Sequence, residues 1–590
     1  MKPTIVNRRG RALASLTATL GLALGAAAVA TGPAQSAAPA PECTPYTGTL
    51  TKGDAVNALS VTSGTTPETF GGQYLGTIED GIAPGIDMIM VKITAPNPDD
   101  IGGIWQGMSG SPVTDPATGD VIGAISYGLS WGPSWIAGVT PYQDMTKYLT
   151  APAASARVQV SDSAARTIAS SSDVSRTQAA QGFTQLRMPT GVSGVSNHRL
   201  KQAGNHRVTK VDGHSITHSW LPKATYRMGA AASAGQGAGP ETVVPGGNLA
   251  ATLSYGDITM GGVGTVTAVC NGKVLGFGHP MTFAGKTSLT LHPADALFIQ
   301  PDSLGAPFKV ANLGAPAGTI SDDHLTGITG FLGAVPDTTD VTSTVAYDGD
   351  SRTGASHVSV PDGTASAVFY EALANHDRVL DGIVKGSEVL TSEITGTDAD
   401  GTPFDINLAN RYASDYDITW DATWGIADFT WALSSVPGVS IESVTMSSAV
   451  NDDHSTWTIS KVEQKVQGAW VKIGRGHAVR AKAGQALPLR ATLTSDSDTM
   501  TVPVEVKVPA NASGSEGVLQ VIGGSSYWSR GAYPRSVAEA EKYADTMVRN
   551  DQLMVALDLY SKRKSTEKTA TTDPQDKVVT GRKRARVFVK

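Results

Sequence analysis

The stretch Gly107-Met108-Ser109-Gly110-Ser111-Pro112-Val113 decides how the chain is read. Small residues on both sides of Ser109 are expected to leave its hydroxyl uncovered, which makes it a nucleophile candidate. Glycines at 107 and 110 admit backbone angles that a Cβ would forbid. The N–H groups of Gly107 and Ser109 can then turn inward beside the serine oxygen and face a developing oxyanion. The apolar run Ile101-Gly102-Gly103-Ile104-Trp105-Gln106 enters this turn. After the turn residues Asp115-Pro116-Ala117-Thr118-Gly119, a second run leaves as Asp120-Val121-Ile122-Gly123-Ala124-Ile125-Ser126-Tyr127. That is the pattern of strand, serine loop, hairpin, strand. A Gly/Ser-rich turn between strands would look the same over seven residues, so the wider pattern has to decide.

Working outward, GGIWQGMSGSPV, then GDVIGAISYG, then Ile136-Ala137-Gly138-Val139-Thr140-Pro141 resemble the SpoIVB serine endopeptidases. Those are chymotrypsin-like proteases, so the resemblance implies a mainly β, double-barrel core. It also implies a serine-type endopeptidase acting on a protein or peptide substrate through an acyl-enzyme, without a cofactor. A protease of this kind needs a base, and no histidine precedes Ser109; the first is His198. The usual chain order of histidine before serine is therefore impossible, and the base must come from downstream. His279 ends the segment GVGTVTAV…GKVLGFGHP, which is similar to the family's histidine-bearing stretch. In the sporulation protease that stretch precedes the serine, whereas here it follows. The expectation is a rearranged barrel pair, the serine half encoded first, with His279 brought beside Ser109.

The third member is not assigned. The family carries an aspartate about fifteen residues before its serine, and this chain has Thr94 there. Asp87, Asp99, Asp100, Asp295, Asp322 and Asp323 are all candidates to approach His279 Nδ1. A metal reading would use His279, His292, Asp295 and His324, but their spacing across Pro280 and Pro293 fits no ligand pattern, and no metal is expected.

The remaining chain sets the context. With 590 residues, 65 of them Gly and 32 Pro, it is too long for one hydrophobic core. A net charge of −7 is mild for this length and argues against nucleic acid as the main partner. Lys2, Arg8, Arg9 and Arg11 precede an apolar run from Ala12 to Ala30, and small residues near Ala37 offer a cleavage site. Residues 1–38 therefore read as a signal peptide, with a secreted or envelope-associated product and no stable membrane span afterwards. Two cysteines, Cys43 and Cys270, are expected to pair in an oxidising exterior.

The expected organisation is a serine-bearing β module over 39–150, a linker over 151–180 and a histidine-bearing β module over 181–345. A mixed region over 346–435 follows, with a helix near Ala365 to Ala374 and β-like segments carrying Trp420, Trp424 and Trp431. A β-sandwich accessory domain over 436–522 comes next. Residues 523–590 read as a helix opened by Ser536-Val537-Ala538-Glu539, a strand from Gln552 to Tyr560, and a basic tail. From Lys562 onward ten Lys/Arg stand against three acids. That end is a solvated tail or a foothold on an anionic cell-envelope polymer. The other functional class in view is a non-catalytic envelope binding protein that keeps the protease fold as a scaffold.

Overall fold

A computed structural model of the chain describes residues 43–590 apart from 95–100, 130–133, 147–156, 159, 173, 181–182, 186–190, 212–213, 222–225, 228–236, 302–306, 475, 497, 528–533 and 562–563. Residues 1–38, expected to be a signal peptide, and the candidates Asp99 and Asp100 lie outside the described residues.

Alternating apolar residues and Gly-rich turns close the first β module on itself. Its strands are β1 (Ala55–Ser60), β2 (Glu68–Ala83), β3 (Ile86–Thr94), β4 (Pro112–Thr114), β5 (Val121–Leu129) and β6 (Ile136–Pro141). They pair antiparallel in the cyclic order β1-β2-β3-β6-β5-β4 and back to β1, a closed six-stranded barrel. Phe70, Val91, Ile93, Trp105, Met108, Val113, Ile125 and Val139 fill it.

A second closed barrel is built from β7 (Asn248–Gly256), β8 (Met260–Cys270), β9 (Lys273–Gly276), β10 (Gly285–Gln300), β12 (Gly318–His324) and β13 (Gly327–Leu332), with β11 (Phe308–Leu313) paired outside on β10. The cycle runs β7-β8-β9-β13-β12-β10 and returns to β7. The β8–β9 connection is an Asn271-Gly272 hairpin, with both residues at positive φ, +51° and +77°. Leu249, Val266, Val274, Phe277, Leu291 and Ile320 form its core.

Every residue of β5 is buried, which an isolated barrel strand could not achieve. The second barrel covers part of its outer face, through the contact of Gly278 with Ser126. Tyr127 and Leu129 pack with Ala165, Ile168 and Ala179, which lie in helices Asp162–Ser171 and Arg176–Ala179. The stretch expected to be a linker therefore holds two short helices with an apolar side on the first barrel.

Several boundaries differ from the sequence expectation. The second barrel ends at Leu332, and its sheet continues beyond it: Asp350–Val358 pairs with the end of β7, followed in order by Thr339–Tyr347, Ser440–Asn451, Gly386–Thr397 and Pro403–Ser414. Helices Thr364–Leu380 and Ile418–Ser434 pack with this sheet. Trp420, Trp424 and Trp431 thus lie on a helix rather than on strands. Asp417 caps its N-terminus by accepting from the Trp420 amide, and Trp420 and Trp424 pack on Phe369 of the preceding helix. The sandwich begins at Trp457 and extends to the last residues. Its two five-stranded sheets share one core, with Ile459, Leu489 and Val504 from one and Leu519, Val555 and Val587 from the other.

The basic C-terminus is correspondingly no tail. Arg582–Val589 is a strand between Val479–Ala481 and Glu516–Gly523. It turns Ala585, Val587 and Val589 into the core and Arg582, Arg584 and Arg586 outward. Among the described residues no helix is long and apolar enough to cross a membrane.

Cys43 and Cys270 are disulfide-bonded, their Cα atoms 5.7 Å apart. The bond ties the segment before the first barrel to the end of β8. Thr44 and Tyr46 meanwhile exchange backbone hydrogen bonds with Val121 of β5.

Candidate functional site

Ser109 sits in the tight turn between Trp105 and Pro112. Met108 N–H donates to the Trp105 carbonyl at 3.0 Å and Ser111 N–H to the Met108 carbonyl at 2.9 Å. The turn is stitched to β5 by Gly110 N–H to the Ile125 carbonyl and by Ile125 N–H to the Ser111 carbonyl. Gly107 and Gly110 have φ of +95° and +96°, a region that only glycine occupies without strain. At Gly110 a Cβ would also stand 2.0 Å from the Thr265 carbonyl oxygen.

The second barrel grips this turn from behind. Thr265 N–H donates to the Ser109 carbonyl at 2.8 Å, Thr265 Oγ1 to the Gly107 carbonyl at 2.9 Å, and Thr267 Oγ1 to the Gly110 carbonyl at 2.8 Å. With three carbonyls drawn toward β8, the Gly107 and Ser109 amides donate to no acceptor among the described residues.

His279 is delivered by a reversal just after β9. Phe277 and Gly278 have successive positive φ values of +68° and +70°, and Phe277 is a bulky residue in a region such residues avoid. The surroundings hold that strain: the Phe277 ring packs against Gly264, and the Gly278 carbonyl accepts from Thr140 Oγ1 of β6 at 2.7 Å. The outcome is a hydrogen bond of 2.9 Å between Ser109 Oγ and His279 Nε2, across 170 positions of sequence.

The other imidazole nitrogen fixes the tautomer. His279 Nδ1 lies 2.8 Å from the Pro280 carbonyl oxygen, which only accepts, so Nδ1 carries the proton and Nε2 offers its lone pair to the serine hydroxyl. Burial pushes the imidazole below its ordinary pKa, opposed in part by the Pro280 carbonyl and by the charge of Asp323. The ring is accordingly neutral at pH 7, the form able to take a proton.

Among the described residues no carboxylate bonds Nδ1, which corrects the expectation of a direct contact. Asp87 is exposed and accepts from the Asp80 amide. Asp295 is half-buried in β10, opposite Asn312. Asp322 pairs with Lys286 and His324. Asp323 is fully buried and accepts from the turn that follows His279.

His292 belongs to the core instead, held between Thr252 Oγ1 and the Gly314 carbonyl, with its pKa pushed down to about 4 by burial. Among the described residues no cluster of three metal-binding side chains exists.

One expectation is overturned. Ser109 is 0% exposed and His279 1%, so the hydroxyl is covered. Parts of the chain remote in sequence close round the turn: β8 behind it, and the Pro307–Lys309 backbone, which pairs with Gln106 at its entrance. Lys309 lies there buried, its stem against Gly107 and its Nζ donating to Asn248 Oδ1, and burial pushes its pKa down to about 7. Thr140, Thr265 and Thr267 lay inside the stretches already singled out, but their anchoring role depends on the packing of one barrel on the other.

Fold and site together define a mainly β chain in which two closed six-stranded barrels each contribute one member of a buried serine–histidine pair. No family model matches the chain, and no curated protein or solved structure matches it either.

Proposed function

We propose that the chain is an exported serine endopeptidase similar to the SpoIVB family, built on a chymotrypsin-like double barrel whose halves are encoded in reversed order. The observation that carries this reading is the 2.9 Å bond from Ser109 Oγ to His279 Nε2. In the reaction, Ser109 Oγ attacks the scissile carbonyl of a protein or peptide while its proton passes to Nε2. The Gly107 and Ser109 amides, free of other acceptors among the described residues, receive the oxyanion. The imidazolium returns the proton to the leaving amine, and water activated by the same nitrogen hydrolyses the acyl-enzyme. Because Ser109 is covered, turnover requires the barrels or the 307–309 segment to shift and admit the substrate.

The same burial favours a second reading, in which the serine–histidine bond is a core contact and the chain is a scaffold that binds envelope partners, the basic strand at 582–589 contacting an anionic polymer. Incubation of the purified chain with a mixed peptide library separates the two. Time-dependent cleavage that disappears in both Ser109→Ala and His279→Ala supports the enzyme. Cleavage that is absent in wild type, or unaltered in the variants, refutes it.

A further inference from the structure

The amide between Pro280 and Met281 lies between His279 and a buried carboxylate. Its carbonyl accepts from His279 Nδ1–H at 2.8 Å. Its N–H donates to Asp323 Oδ1 at 2.8 Å. A trans peptide points its C=O and N–H in opposite directions, so one rigid unit bonds the imidazole on one side and the carboxylate on the other. Asp323 Oδ2 accepts from Thr282 N–H at 2.6 Å, Thr282 Oγ1 at 2.7 Å and Phe283 N–H at 2.8 Å. With Ala284 N–H at 3.5 Å, five donors converge on this fully buried carboxylate and fix the whole turn.

We propose, resting on the serine-protease reading above, that Asp323 is the positioning residue of this site and acts on His279 through the Pro280–Met281 peptide. The carboxylate polarises the amide, which strengthens the Pro280 carbonyl as an acceptor from Nδ1–H. That locks the tautomer with Nε2 unprotonated and stabilises the positive charge when Nε2 takes the serine proton. No proton reaches Asp323, because the amide relays polarisation only. An ordinary triad aspartate orients and stabilises its imidazole by direct contact; here a peptide bond is interposed.

The other charged groups of this strand point elsewhere. Asp322, adjacent on β12, is engaged by Lys286 and His324. The charge of Asp323 favours the protonated form of the His279 imidazole.

The test uses the full chain labelled with 15N-histidine. In Asp323→Asn the His279 titration midpoint should move to lower pH, since a charge favouring the imidazolium is gone, and the Nδ1–H proton resonance should move upfield. The acid limb of kcat should follow the midpoint down. At neutral pH kcat should fall about tenfold or more with KM little changed, well short of the roughly 10⁴-fold loss seen where the carboxylate contacts the imidazole directly. Asp323→Ser removes the charge while leaving an acceptor for the turn amides and should also shift the resonance upfield; it keeps the inference testable if Asp323→Asn does not fold. A midpoint and resonance that stay at wild-type values in the folded variants overturn the relay and leave Asp323 as a turn anchor. If the midpoint moves but no form of the chain cleaves peptide, the relay stands and the protease reading falls.

Discussion

Replacing Gly110 by alanine should unseat the serine turn from the second barrel. Two independent costs are visible. The residue holds φ at +96°, where a Cβ costs roughly 1–2 kcal/mol. The added Cβ would also lie 2.0 Å from the Thr265 carbonyl oxygen and 2.5 Å from the Phe277 amide nitrogen, both backbone atoms that cannot rotate away. Relieving such overpacking costs about 1–3 kcal/mol. The sum is a loss of about 2–5 kcal/mol, concentrated where the barrels meet. Urea denaturation gives the total, and amide exchange at Thr265, whose N–H donates to the Ser109 carbonyl, gives the location. Gly204→Ala is the control: it lies in helix Asn197–Asn205, where an added Cβ would meet nothing within 4 Å, and should be neutral or stabilising. If Gly110→Ala stays within about 0.5 kcal/mol of wild type with Thr265 exchange unaltered, the turn is not wedged between the barrels.

Two further outcomes follow from the same structure. The buried His292 has a folded pKa of about 4 against an ordinary 6.5, so the unfolded chain binds more protons between these values. Its stabilising contribution is complete above pH 6.5 and is lost as pH falls to about 4, a change of about 3 kcal/mol; His292→Gln should flatten acid denaturation over that window, and equal acid sensitivity in both proteins contradicts this. Cys43 and Cys270 are 227 positions apart, so opening their bond releases a long loop and should cost up to about 5 kcal/mol; a denaturation midpoint unaltered by Cys43→Ser/Cys270→Ser rules out a stabilising role.

How far the sequence carried depends on whether a feature is local. The apolar run that leaves the serine turn is the strand Val121–Leu129, and the run Ile136–Pro141 is the next, because pleat and turn chemistry act over a few residues. Aromatic content misled at Ile418–Ser434, where Trp420 and Trp424 stand four apart on a helix capped by Asp417. Charge density misled at the C-terminus, where it hid the inward alternation of Ala585, Val587 and Val589. At the site, the Gly-flanked serine and the strand-end histidine were legible as residue types. What holds them was not: a backbone amide like that of Pro280–Met281 is present in every chain, and only its placement by Asp323 distinguishes it. The covering of Ser109 was hidden for the same reason, since β8 and residues 307–309 are remote in sequence.

The most direct measurement for the central claim is the intact mass of the folded chain after reaction with a fluorophosphonate, followed by mapping of the modified peptide. An activated serine bonded to a neutral imidazole predicts one adduct, on Ser109, absent from Ser109→Ala and strongly slowed in His279→Ala. An adduct equal in all three proteins, or none in wild type, would contradict a nucleophile at Ser109.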